Sequence, residues 1–273
     1  MKYSKKDILP IAGIVVGIVL LSLPVVVDQI ETIRNNKTVT SGLTAVEQLS
    51  DEEYAYVLEQ AQAYNEALAE NLRMSKDILP YNEQLQSGYS PMIAYVEIPK
   101  IRVKLPVFHG TDEASLSAGA GHLEQTSLPI GGASTHTVIS AHSGMISQRM
   151  FDDLRDITIG DTFVIWTLGK PLAYRVYDIE TVLPSQVEAL GIQAGKDIAT
   201  LVTCTPYGVN SHRLLVHGER CDYNPEIHPP LYVSKRWWPL VAAIIAMACM
   251  SIGGSLVIWK MRYNKRKQES GVR

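Results

Sequence analysis

The chain has 273 residues, 46% of them apolar, and a formal net charge of −3 from 25 Lys+Arg and 28 Asp+Glu. That length suits one ordinary domain with accessory segments, but the near-neutral total hides a strong asymmetry. Residues 28–234 carry 14 Lys+Arg and 26 Asp+Glu, a net of −12. This argues against nucleic acid, whose phosphates demand a basic face, and is compatible with a substrate that brings an amine.

In chain order, a short basic leader (1–7) holds Lys2, Lys5 and Lys6. It precedes an uncharged apolar run of 20 residues, 8–27, long enough as a helix to cross a hydrocarbon layer of about 30 Å. A signal peptide is the other reading of such a run. The run exceeds the usual length of one, and Val25-Val26-Val27-Asp28 is a poor cleavage site, so a retained anchor is expected. A second apolar run of 23 residues, 237–259, precedes a basic tail (260–273) with Lys260, Arg262, Lys265, Arg266, Lys267 and Arg273. Positive flanks stay on the cytoplasmic side. The expected layout is therefore two transmembrane helices, both termini inside and residues 28–236 outside; Lys235 and Arg236 count weakly against it.

An apolar segment with a basic tail is also the retention half of a cell-wall sorting signal, which would make the protein a substrate. Such a signal needs Leu-Pro-x-Thr-Gly just upstream, and His228-Pro229-Pro230-Leu231-Tyr232 is not one. Leu128-Pro129-Ile130-Gly131-Gly132 lacks the threonine, lies mid-domain and reads as a turn.

Residues 28–90 read as a helical and linker region. Within it, 50 to about 76 reads as one amphipathic helix: Ser50-Asp51-Glu52-Glu53 is a capping box, and Val57, Leu58, Ala61, Tyr64, Leu68 and Leu72 recur at helical spacing. From 93 onward the rhythm changes to short β-like runs broken by Gly and Pro. Candidate strands are 93–98, 101–107, 136–141, 162–168, 172–181, 198–204 and 213–218. Short strands without alternating helices predict an antiparallel barrel or sandwich.

Chemistry concentrates in Thr200-Leu201-Val202-Thr203-Cys204-Thr205-Pro206-Tyr207-Gly208. A β-branched run ends in a thiol and a turn follows, so Cys204 sits at a strand end facing a loop. Arg213 opens the next strand, and residues nine apart across such a connection can meet at one sheet edge. A cation there favours the thiolate and can stabilise an oxyanion. A thiol nucleophile also needs a proton partner. Of seven histidines, His142 in Val138-Ile139-Ser140-Ala141-His142-Ser143-Gly144 has the best context, since it too ends a β-branched run. His212 would be turned away from Arg213 by strand alternation, whereas His217 would share Arg213's face further along. A Cys204–Cys221 disulfide is the competing use of the thiol, and Cys249 lies within the second apolar run. Acidic clusters with calcium-like spacing are lacking, so no metal and no cofactor are expected.

Thr200-Leu201-Val202-Thr203-Cys204 followed by Arg213 resembles the Thr-Leu-x-Thr-Cys…Arg signature of the sortases. The segments Ala94-Tyr95-Val96-Glu97-Ile98-Pro99-Lys100-Ile101, His109-Gly110-Thr111, Gly119-Ala120-Gly121-His122-Leu123 and Val138–His142 resemble class C, pilus-assembly members in order and spacing. The resemblance covers roughly 90–220 and implies an all-β fold, the eight-stranded sortase barrel, here with an N-terminal amphipathic helix and the two membrane helices. It implies a catalytic domain over 91–225, joined by a linker (226–236) to the second apolar run.

It further implies Cys204 as nucleophile, His142 as proton partner, Arg213 as oxyanion and substrate stabiliser, and Thr203 as a residue that helps bind the sorting motif. The implied reaction cuts a Leu-Pro-x-Thr-Gly-like motif between Thr and Gly through a thioester. An amine resolves it: a pilin lysine, or a peptidoglycan precursor for a housekeeping enzyme. Partners would be pilins or surface proteins bearing that motif. The setting would be the surface of a Gram-positive-type bacterium. The reading of another class is a non-catalytic membrane scaffold or receptor in which Cys204 is inert. Class C sortases commonly carry a lid with an Asp-Pro-aromatic motif; Asp77-Ile78-Leu79-Pro80-Tyr81 departs from it, so either the lid is absent or it uses other residues, Tyr81 or Tyr89 being the candidates, and weak occlusion of the cysteine is expected.

Overall fold

The computed structural model describes residues 5–71, 74–88, 90–145, 148–226 and 260. The chain divides into two units, one of which spans 30–233 and holds the barrel. The other, 1–29 with 234–273, is represented among the described residues by the first part of helix α1 (Lys5–Glu47) and by residue 260. The apolar run 8–27 falls in α1, where most side chains lie outside the described set, and 237–259 lies outside it altogether. Among the described residues no helix is long and apolar enough to cross a membrane, so the two expected spans gain no support from the fold.

Helix α2 (Asp51–Ala69) begins with the expected capping box. The Ser50 Oγ accepts from the Glu53 amide at 3.2 Å, and the Ser50 amide donates to Glu53 Oε2 at 2.9 Å. A cap of this kind stabilises a helix by about 1 kcal/mol. The helix stops near Ala69 and not at 76, because Asn71 turns left-handed at φ 52°, a conformation that asparagine tolerates and that commonly ends helices. Ala61 and Tyr64 are buried in the main core, with Val57, Leu58 and Leu68 packed against it; Leu72 lies outside the described residues. Asn65, also buried, fixes the helix to the barrel with both amide atoms: Nδ2 donates to the Leu128 carbonyl at 3.1 Å, and Oδ1 accepts from the Leu128 amide at 2.7 Å. The Leu128–Gly132 segment is a turn, with Gly131 at φ 68° and Gly132 at φ 119°.

Eight strands follow: β1 (Ala94–Ile98), β2 (Val103–His109), β3 (Ala120–His122), β4 (Thr135–Ser140), β5 (Thr162–Thr167), β6 (Lys170–Val182), β7 (Asp197–Thr205) and β8 (His212–Cys221). They close in the order β1-β2-β3-β4-β7-β8-β6-β5. Two pairings, β2 with β3 and β4 with β7, are parallel, which corrects the all-antiparallel expectation. The first arises because a six-residue helix α3 (Glu113–Ala118) makes a crossover, and six residues are too few to show helical periodicity. The second arises because β5 and β6 close the barrel from the other side.

Alternation sorts the side chains. Val96 and Ile98, Leu105 and Val107, Ile139, Phe163 and Ile165, Tyr174 and Val176, Ala199 and Leu201, and Val216 fill the interior. Gly218 lets β8 pass the stacked Phe163–Tyr174 pair, since a Cβ there would lie 2.7 Å from the Phe163 ring. On the outer face Val138, Val202 and Leu215 form a separate cluster. It is covered by Val182, Ala189 and Leu190 at and within the β6–β7 connection.

The segment 28–47, covered only by the general helical and linker reading of 28–90 and given no helix of its own, is the C-terminal part of α1. Its Val39 and Leu43 pack with Met92, Tyr95, Phe108 and Trp166 against β1, β2 and β5.

Candidate active site

Cys204 occupies the penultimate position of β7, and its direct partner across the β7–β8 ladder is Arg213. Residues directly opposite on antiparallel strands project to the same face with Cβ atoms about 4.5–5.5 Å apart. Both therefore stand on the outer face, continuing the line of Val202 and Leu215. The parallel β4–β7 register ends with Ser140 opposite Val202, and His142 follows in the loop that leaves β4 at this end of β7.

Two crossed hydrogen bonds fix these strand ends to each other. The hydroxyl of Thr203, just before the cysteine, donates to the Ala141 carbonyl, just before the histidine, at 2.8 Å. The hydroxyl of Ser143, just after the histidine, donates to the carbonyl of Cys204 itself at 2.7 Å. The His142 carbonyl accepts from the Phe151 amide at 3.0 Å, and the Gly144 amide donates to Asp152 Oδ1 at 2.6 Å. The loop bearing His142 is thus tied at every residue from 141 to 144, the Ala141 amide donating to the Val202 carbonyl at 3.1 Å.

The His142 ring is 27% exposed, and its Nε2 lies 3.9 Å from Oε2 of Glu113, the first residue of α3. The Arg213 guanidinium donates through Nη1 to the carbonyls of His212, at 3.1 Å, and Asn210, at 3.3 Å. Tyr207 and Val209 are exposed on the β7–β8 connection and Leu183 and Val187 on the β6–β7 connection, giving this face apolar margins. An approachable thiol, an imidazole carried on a tied loop and a guanidinium at the thiol's level form a set suited to acyl transfer.

The other sequence candidates separate from this cluster. Thr203 is 4% exposed and sits on the interior side of the alternation with Leu201, its hydroxyl committed to Ala141. That geometry is at odds with direct contact to a bound motif. His212 pairs with Thr205 and hydrogen-bonds Ser211. His217 shares Arg213's face but lies four residues, about 13 Å, along the strand. It is buried in a chain running from His136 Nε2 through Thr200 Oγ1 (2.7 Å) to His217 Nδ1 (2.7 Å), and from His217 Nε2 to Glu180 (3.1 Å). Burial lowers the pKa of His136, whose Nδ1 lies 2.9 Å from the Gly191 carbonyl of the β6–β7 connection. His122 is fully buried, which pushes its pKa down to about 4.

Cys204 and Cys221 are both free. From the position opposite Cys204, the ladder runs eight residues to Cys221, about 26 Å, far beyond disulfide reach.

Tyr81 does not plug the cysteine. Its hydroxyl accepts from the Gly110 amide at 2.9 Å and lies within 3.0 Å of both the carbonyl and Nδ1 of His122. Burial pushes its pKa up to about 12. Tyr89 lies outside the described residues. Among the described residues no group of three or more His, Cys, Asp or Glu side chains is placed to hold a metal ion.

Ser143 and Glu113 carried no functional expectation from their residues alone. A serine beside a candidate histidine was visible, but its partner is defined only by the parallel β4–β7 pairing. Glu113 is remote in sequence and reaches the site through the unanticipated α3.

A sequence model described as the Sortase domain matches residues 96–221. The chain is 31% identical over 139 residues to sortase A of Streptococcus agalactiae, a match spanning 50% of this chain and 56% of that protein. It is 26% identical over 128 residues to sortase A of Bacillus anthracis, spanning 47% and 59%. The chain thus spans less than two thirds of the curated relatives it matches. Among solved structures, sortase C1 from Streptococcus agalactiae is 40% identical with a TM-score of 0.65, covering 69% of this chain and 100% of that one. Clostridium perfringens sortase C with the C-terminal cell wall sorting motif is 39% identical with a TM-score of 0.62, covering 68% and 99%.

Proposed function

Because the chain belongs to the sortase family of cysteine transpeptidases, with class C enzymes among its structural relatives, we propose that Cys204 cleaves a Leu-Pro-x-Thr-Gly-like motif and passes the acyl group to a pilin lysine. The observation that carries this reading is the Cys204–Arg213 register with His142 tied alongside. The thiolate attacks the threonine carbonyl, and Arg213 steadies the oxyanion. His142 protonates the departing glycine amine, leaving a thioester on Cys204. A lysine amine then resolves it, with His142 as the base. The exposed apolar residues of the two flanking connections suit the motif's leucine and proline.

Thr203 acts in this reading through the histidine loop and not by touching substrate, and Ser143 does the same from the other side. Ser143→Ala is expected to slow acylation roughly tenfold, the scale of a small misplacement of a reacting group. The melting temperature should change little, since one hydrogen bond contributes about 1 kcal/mol. Single-turnover acylation followed by mass spectrometry measures the loss, and Ser143→Thr should recover most of it. A Ser143→Ala rate equal to that of the unaltered protein would remove the positioning role.

The two apolar runs are read as anchors holding the barrel outside the membrane with both termini inside, on the strength of the nine basic residues flanking them. Tethering at both ends suits repeated encounters with membrane-held subunits at high effective concentration.

The test is to incubate the full-length chain with a Leu-Pro-x-Thr-Gly peptide and a lysine-bearing pilin domain. An acyl adduct on Cys204 and an isopeptide product are expected. In the host, gene deletion should remove the high-molecular-weight pilin ladder while other surface proteins stay anchored. Intact ladders with monomeric surface proteins released into the medium would assign the peptidoglycan-anchoring role instead. No adduct at Cys204 would leave the scaffold reading.

A further inference from the structure

Glu113 lies outside the cysteine, histidine and arginine set, yet its Oε2 is 3.9 Å from His142 Nε2. Its side chain is 82% exposed, so it is not there for packing. It is nevertheless held in place. Oε1 accepts from the Ser117 hydroxyl at 3.0 Å, one turn along α3. The helix itself is tied to its surroundings at two points: Ser115 Oγ donates to the His109 carbonyl at 2.7 Å, and Gln148 Nε2 donates to the Ser117 carbonyl at 3.2 Å. The result is a solvent-facing carboxylate on an anchored short helix, with one oxygen aimed at the imidazole.

The timing of charge at this spot gives the carboxylate a use. In the proposed reaction the attacking thiolate is matched by an imidazolium on His142, and that cation faces Glu113. When the departing amine takes that proton, His142 becomes neutral and the carboxylate loses its cationic neighbour. The amine that must then arrive is a lysine side chain, whose ordinary pKa of about 10.4 leaves it protonated near neutral pH. An ammonium with three donors can bind a carboxylate while presenting a proton to a neutral nitrogen beside it.

Resting on the transpeptidase reading, we propose that Glu113 is the docking site for the acceptor lysine's ammonium and, with His142, the entry point of the amine substrate. One ammonium proton passes to His142 Nε2 while the Glu113 carboxylate holds the nitrogen. The neutral amine attacks the thioester carbonyl and the C–N bond forms. The attacking nitrogen loses its second proton to solvent, and the C–S bond breaks with its electron pair returning to sulfur. Amide, thiolate and imidazolium remain, and the pair that began the cycle is restored.

The experiment uses the full-length chain, a Leu-Pro-x-Thr-Gly peptide as donor and Nα-acetyl-lysine amide as acceptor. The readout is the ratio of amide product to hydrolysis product from the same acyl-enzyme, which is independent of how fast that acyl-enzyme forms. Glu113→Gln should lower the ratio about three- to tenfold, the modest scale of an exposed ion pair, and Glu113→Lys should lower it further. The deficit should shrink as salt is raised, because the charges are screened within about 8 Å at physiological ionic strength. Hydroxylamine, uncharged at neutral pH, should resolve the thioester equally well in all three proteins.

An unchanged ratio with lysine in the presence of a normal Cys204 adduct would overturn the docking role. So would an equal loss with hydroxylamine, which would mean that the carboxylate acts on His142 alone. Absence of any Cys204 adduct in the unaltered protein would instead overturn the transpeptidase reading beneath it.

Discussion

Cys204→Ala should give a folded barrel that forms no acyl adduct and transfers nothing. Among the described residues the other thiol cannot substitute, since Cys221 is about 26 Å along β8 and burial pushes its thiol pKa up. The fold should barely notice the change. Cys204 stands half-buried on the outer face at a strand end, away from the interior layers built by Ala199, Leu201 and Val216. Its backbone carbonyl, the group that holds Ser143, is untouched by the substitution. Loss of one sulfur there should shift stability by no more than about 1 kcal/mol. Circular dichroism and thermal melting check the first half of this expectation, and mass spectrometry after incubation with donor peptide checks the second. Residual transfer by the alanine protein would mean that another group carries the acyl chain.

The parts of this molecule legible from sequence are those whose signal is local. The α2 capping box needs only Ser50 and Glu53, and it appears with both of its hydrogen bonds. Seven of the eight strands announce themselves as short β-like runs. The eighth, Ala120–His122, has three residues and no branched side chain. It exists because Gly121 lets β3 lie against the chain at Gly110; a Cβ there would come within 2.2 Å of the Gly110 carbonyl oxygen. The same division runs through the site. Cys204 and Arg213 flank one short connection, so their spacing predicted that they meet. His142 could be ranked first from its context, but what places it beside the cysteine is a parallel pairing between strands more than 50 residues apart. Thr203 shows the limit of a motif: the residue type was readable, whereas the direction of its side chain, toward Ala141, belongs to the tertiary structure.

Arg213 carries the second large expected effect. In the structure its Nη1 is engaged by the His212 and Asn210 carbonyls, contacts that hold the side chain near the β7–β8 turn. The guanidinium has five N–H donors in a fixed plane, so donors remain for an oxygen developing beside Cys204. Arg213→Ala should cost roughly 10²–10³ in kcat, the scale of losing one oxyanion donor. Because the oxyanion is absent from the bound ground state and forms only as the carbonyl is attacked, kcat and kcat/KM should fall together while KM stays nearly constant. Arg213→Lys keeps the charge but loses the planar fork, and a lysine ammonium cannot hold both turn carbonyls while reaching toward the sulfur. It should therefore recover only part of the rate. Steady-state cleavage of a donor peptide by the three proteins separates the possibilities. A rise in KM with kcat preserved would place Arg213 in ground-state binding of the motif and remove it from oxyanion stabilisation.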